Sequence, residues 1–184
     1  MDRRWRRTLA IGVVAAGTVI GTVAVASGDD GEGRNSNIRE TLSGYEEDPL
    51  ALSTTGTGNF RAQISPSGDE ISYTLEYSAL EGSVLQAHIH LGGRHQSGGI
   101  SVFLCTNLGN GPAGTQACPA APATVEGVLV AADVIGPAGQ GITAGQFDEL
   151  VQAIRSGTTY VNVHSTLYPG GEIRAQLGDH NHGH

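Results

Sequence analysis

Tyr160-Val161-Asn162-Val163-His164-Ser165-Thr166-Leu167-Tyr168-Pro169-Gly170-Gly171-Glu172-Ile173-Arg174-Ala175-Gln176-Leu177 holds two alternating runs separated by a Tyr-Pro-Gly-Gly turn. Side chains along a strand point to opposite faces with period two. Val161 and Val163 therefore share one face of the first run, and Tyr160, Asn162 and His164 share the other. In the second run Ile173, Ala175 and Leu177 alternate with Glu172, Arg174 and Gln176. The turn residues predict a hairpin. Closed symmetrically, it sets His164 opposite or near Glu172 and Asn162 near Arg174. A slip of one residue would send every side chain to the wrong face.

The same alternation appears upstream. In 84–91, Leu85, Ala87, Ile89 and Leu91 share a face, while His88 and His90 share the opposite one. Further runs at 58–65, 70–78, 99–105 and 124–130, with those at 158–165 and 172–177, read as strands punctuated by Gly, Pro and Asp. Ser67-Gly68-Asp69 suits a turn between the first two. One helix stands out: Phe147, Leu150, Val151 and Ile154 fall at i, i+3, i+4 and i+7, an apolar stripe. Thr143 is a candidate N-cap and Gly157 a stop. The expected fold is mostly β, an antiparallel sandwich or barrel with one short α-helix.

Four motifs resemble one family. Leu42-Ser43-Gly44-Tyr45-Glu46-Glu47 is similar to the opening "LxGxxE" of the CHRD domain, the repeat named after chordin and found in bacterial exported proteins. Ala87-His88-Ile89-His90-Leu91-Gly92 resembles its "AHIHxG", and Tyr160-Val161-Asn162-Val163-His164-Ser165 its "YVNVHT". The stretch 169–177 resembles "PGGEIRGQL". Ser165 stands for Thr and Ala175 for Gly, both small for small. The resemblance spans 41–177 and implies a Greek-key sandwich, superoxide-dismutase-like or immunoglobulin-like. The family is similar to copper/zinc superoxide dismutases in strand order and in its His-x-His strand. In chordin the domain accompanies growth-factor-binding modules. Bacterial members are mostly without an assigned role, so the resemblance implies a binding or structural module and no reaction.

Two readings of the polar face stay open. His-x-His sets two imidazoles on one face, and a third His with a carboxylate would complete a site for copper or zinc. His88, His90, His164 and Glu172 are the candidate ligands. Alternatively, the same residues form a hydrogen-bond network with Tyr160, Asn162, Arg174 and Gln176. Imidazole nitrogens turned inward on one another would favour the metal; Arg174 or Tyr160 between the rings would favour the network. Asp133 and His95 are possible extra ligands with no spacing that commits them. No catalytic residue is assigned: there is no Gly-x-Ser-x-Gly and no bridging His or second-site Asp cluster as in the dismutases. Glu46, Glu47 and Asp48 read as a solvated acidic loop.

The flanks point outside the cytoplasm. Arg3, Arg4, Arg6 and Arg7 precede an uncharged apolar run that ends in Ala24-Val25-Ala26. This is the pattern of an export signal, Sec or twin-arginine, or of a retained membrane anchor, over 1–26. Residues 27–40 read as a flexible linker, 41–178 as the domain, and 179–184 as a His-containing tail that could chelate metal or simply trail. Cleavage after Ala26 would remove four of the ten basic residues and one of the eighteen acids, taking the net charge from −8 to −11. There is no Lys. Such a surface excludes nucleic acid as a partner, leaves the membrane only through the N-terminal anchor, and points to an unidentified extracellular or cell-surface partner. Cys105 and Cys118 are the only cysteines. A disulfide is the simplest reading in an oxidising compartment, with a two-Cys metal site as the alternative.

Overall fold

The structure is a computed structural model that describes residues 36–178. The expected signal or anchor, the linker up to residue 35 and the tail from residue 179 lie outside the described residues.

Among the described residues eight antiparallel strands form one sheet: β1 (Asn37–Ser43), β2 (Thr57–Ile64), β3 (Ile71–Ser78), β4 (Val84–Leu91), β5 (Gly99–Thr106), β6 (Ala123–Leu129), β7 (Thr159–Ser165) and β8 (Ile173–Leu177). Their order is β5-β4-β7-β8-β1-β2-β3-β6. The sheet curls until its two ends approach, giving a nearly closed barrel. Tyr73 on β3 donates its hydroxyl across this seam to the Leu104 carbonyl at 3.0 Å. The Ile135 amide donates to the Ser101 carbonyl on β5. The seam also holds the disulfide Cys105–Cys118, with Cα atoms 5.0 Å apart.

The expected strands are all present within a residue or so of their bounds, and β1 is an addition. It takes in the last four residues of the stretch expected to be linker, so the 27–40 boundary is corrected: Ile38, its lone aliphatic residue, is 1% exposed in the core. A strand whose two apolar residues, Ile38 and Leu42, flank a charged Glu40 has too weak an alternation to be seen, and it is paired β2 that orders it. The helix α1 (Phe147–Arg155) buries Phe147, Leu150, Val151 and Ile154 as its stripe predicts. Its N-cap is Gln146, not Thr143; the Gln146 side chain instead accepts from the Thr143 amide at 2.6 Å. Gly157, at φ +69°, ends it.

The register of β7 and β8 is the one expected, with Asn162 opposite Arg174 and Tyr160 opposite Gln176. Their apolar residues join the single core with Phe60, Leu75, Ile89 and Leu104. The opposite face is buried as well: every residue of β7 and β8 is buried. The connections β1–β2 and β4–β5 fold over the polar face and hydrogen-bond several of its side chains, which gives the domain a second, polar interior.

Candidate metal centre

The polar face is a grid in which β4 supplies Gln86, His88 and His90, and β7 supplies His164, Asn162 and Tyr160 opposite them. β8 continues two of the rows with Arg174 and Gln176. Antiparallel pairing therefore brings His88, His90 and His164 together. One ligand nitrogen from each ring lies within 4.8 Å of the others, and all three residues are buried.

Hydrogen bonds determine which nitrogens face inward. His90 Nδ1 is 3.0 Å from the Gly98 carbonyl, and His164 Nδ1 is 3.0 Å from the Pro169 carbonyl. A carbonyl only accepts, so both Nδ1 atoms carry the proton and both Nε2 atoms present lone pairs. His88 Nδ1 lies 3.2 Å from His164 Nε2. Without a metal, His88 donates this bond. Nε2 of His88 and Nε2 of His90 are buried with no hydrogen-bond partner among the described residues.

These observations test the fit of a metal. A ligating imidazole ordinarily donates its second ring nitrogen to a carbonyl or carboxylate, which orients the ring. His90 and His164 do so. Two nitrogens on one tetrahedral zinc stand about 3.4 Å apart; the His88–His164 pair is already near that spacing. Burial also holds the rings neutral, the form that binds metal. It pushes His88 down to about 2, helped by the neighbouring His164 and His90. It pushes His90 down to about 4 against the Gly98 hydrogen bond. His164 is lowered by the same cause. The residues fit a zinc or copper ion.

Glu172, expected as a fourth ligand, does not join the group. Its Oε1 accepts from the Thr54 hydroxyl at 2.8 Å and the Glu81 amide at 2.7 Å, so it ties two loops together. Asp133 accepts from the Val130 amide, and His95 is exposed in the β4–β5 connection at φ +60°. Neither joins the three histidines.

The expected network residues flank the centre. Tyr160 stacks on His90 with ring centroids 4.8 Å apart and planes 2° from parallel. The Arg174 guanidinium carbon lies 3.5 Å from the Tyr160 centroid. Arg174 also donates to the carbonyls of Gly93 and Gln96, each at 3.0 Å, and Gln176 donates to those of Gly92 and Gly157. The Gly98 amide donates to the Tyr160 hydroxyl at 3.1 Å. Stacking on β7 and anchoring residues 92–98 occupy Arg174 and Tyr160, while His88 and His164 contact each other directly.

Glu47 was misread as part of a solvated acidic loop. It is 9% exposed and accepts from Asn162 Nδ2 at 2.6 Å. Burial pushes its carboxyl up to about 7. Gly171 makes room for it: at φ +139°, a Cβ there would come within 2.5 Å of Asn162 Oδ1 and 2.6 Å of Glu47 Oε2. The signal was the final acid of the Leu42–Glu47 motif, overlooked because Glu46 and Asp48 beside it are polar too.

A family model described as CHRD domain matches residues 38–177. No curated protein and no solved structure matches the chain.

Proposed function

The chain belongs to the CHRD domain family, and from that premise we propose that it is an extracytoplasmic binding module with one buried zinc or copper ion held by His88, His90 and His164. The observation that carries this reading is the buried trio itself: one nitrogen from each of His88, His90 and His164 lies within 4.8 Å of the others, and the Nε2 atoms of His88 and His90 have no hydrogen-bond partner among the described residues. A protein interior rarely leaves such atoms unsatisfied without a reason. Three imidazoles suit zinc and copper equally.

Within the site each residue has its own task. His88 and His90 supply two nitrogens from one strand, and His164 supplies the third from the next. The Gly98 and Pro169 carbonyls hold two of the rings in the ligating tautomer. Tyr160 fixes the plane of His90 by stacking. A bound zinc would cross-link β4 to β7, and copper would add one-electron chemistry; no reaction is assigned. The disulfide and the export-like residues 1–26 support a location outside the cytoplasm. Among the described residues no helix is long and apolar enough to cross a membrane. The binding partner on the cell surface is not identified by this site.

Elemental analysis tests the metal. The untagged protein, in full and in a form ending at Gly178, is compared with a His88→Ala, His90→Ala variant of each. One equivalent of zinc or copper, kept without the tail and lost in the variant, is the expected result. No metal in any form, with the variant only less stable, would reduce the cluster to a hydrogen-bond network.

A further inference from the structure

The exposed face of β1, β2 and β3 carries an arrangement that the proposed metal centre does not use. Arg39 on β1 stands directly opposite Arg61 on β2, and both are exposed. Like charges directly opposite in a sheet repel. The other arginines among the described residues are placed differently: Arg94 pairs with Glu46 at 2.8 Å, Arg174 is buried, and Arg155 lies in the last turn of α1. No hydrogen bond or ion pair engages either Arg39 or Arg61 among the described residues. In a chain of net charge −8 without lysine, two of the few cations are thus set side by side with no ion pair to either among the described residues.

The surroundings supply hydrogen-bonding groups and little charge. The two arginines line a shallow, open groove of about 220 Å³ with Asn37, Gln63, Ser72 and Thr74. Along the strands, the pairs Asn37–Gln63, Arg39–Arg61 and Thr41–Asn59 follow one another in steps of two residues, about 7 Å each. Two acids share this face: Glu76, one step along β3 from Thr74 and diagonal to Arg61, and Glu126 on β6, separated from Arg61 by Thr74, whose hydroxyl faces it at 3.5 Å. The one aromatic residue of the groove, Tyr73, is buried with its hydroxyl on the Leu104 carbonyl. No ring is offered on which a base would stack.

We infer that this face binds a linear, carboxylate-bearing glycan, with adjacent uronate carboxylates held by Arg39 and Arg61. A guanidinium fork meets a carboxylate bidentately. The amides and hydroxyls one step away along the strands suit sugar hydroxyls, and a flat track suits an extended chain better than a compact ligand. The site lies outside the metal centre and does not depend on it.

Calorimetric titration of the full-length protein with a hexamer of galacturonic acid at low salt is the test. Binding is expected, weakening with added salt as a charge-driven contact does. Arg39→Gln and Arg61→Gln should each lower affinity about tenfold, and the double variant should abolish binding with the metal content unchanged. The same hexamer with its carboxyls reduced to alcohols should not bind. Because both positions are exposed, the double variant should melt at or above the original midpoint, as the repulsion is removed. Absent binding, equal binding by the double variant, tighter binding of a sulfated galactan or duplex DNA, or a lowered midpoint would each overturn the proposal.

Discussion

His88 Nδ1 and His164 Nε2 meet at 3.2 Å although 76 positions separate the two residues in the chain. Cross-strand pairing of β4 with β7 makes the contact, and the Pro169 carbonyl sets its polarity by claiming the other His164 nitrogen. The same nitrogen that accepts from His88 in the metal-free protein is the one available to an ion.

Removing His164 therefore acts twice. His164→Ala strips the acceptor from a buried His88 and leaves a void, which should cost the metal-free protein about 2–4 kcal/mol. It should also remove the rise in melting midpoint that added zinc or copper produces in the parent by binding the native state. Thermal melts with and without metal check both. An equal metal-dependent rise in the variant would refute the site.

Glu47 and the histidines should pull stability in opposite directions with pH. Glu47 titrates near 4.5 when unfolded and about 7 when folded, chiefly through burial. Between those values the folded state holds a proton that the unfolded chain has lost, so stability falls as pH rises through that window, by as much as roughly 3 kcal/mol. His88 and His90, lowered from 6.5 to about 2 and about 4, refuse protons that the unfolded chain accepts. Their contribution is complete above 6.5 and is lost as pH falls. Glu47→Gln should make the metal-free protein more resistant to urea at pH 8 relative to pH 5 than the parent. Parallel pH profiles for the two proteins would count against this assignment.

Arg174 holds residues 92–98 over the polar face through two carbonyls and the Tyr160 ring. Arg174→Lys keeps the charge but loses the fork and the stacking plane. A loss of about 2–3 kcal/mol is expected, together with faster proteolytic cleavage between Gly92 and Gly98. Protection of that segment equal to the parent's would mean that Gln176 and His90 suffice to hold it.

Reduction of Cys105–Cys118 should lower stability by about 3 kcal/mol, the loop-closure value for a separation of 13 residues. The histidines lie on other strands or other positions of the sheet, so metal stoichiometry should stay the same. Denaturant midpoints with and without reductant, paired with metal analysis, measure the two effects separately.

Much of the molecule was legible in one dimension. Period-two alternation marked seven strands, and the i, i+3, i+4, i+7 stripe marked α1. The Tyr-Pro-Gly-Gly turn pointed to a β7–β8 hairpin whose symmetric closure would make Asn162 and Arg174 neighbours, and the structure has that register. His88, His90 and His164 could be singled out as one candidate group. β1 escaped because Ile38 and Leu42 are its only fully buried apolar residues and it is ordered by β2. Glu172 faces the same side in register but stands outside the group of three histidines, and Thr54 and Glu81, remote in sequence, engage its Oε1.

By itself, then, the sequence determined the elements, the faces of the strands and the family, since these depend on local periodicity and short motifs. Only the tertiary structure decided that the polar face is an interior. Whether a His, Glu or Arg is solvated or buried depends on what covers it, and here the covering segments, residues 44–54 and 92–98, carry no periodic pattern. Their backbone carbonyls and Glu47 turned a row of polar side chains into neutral, oriented imidazoles, because burial sets the protonation state and hydrogen bonds set the tautomer.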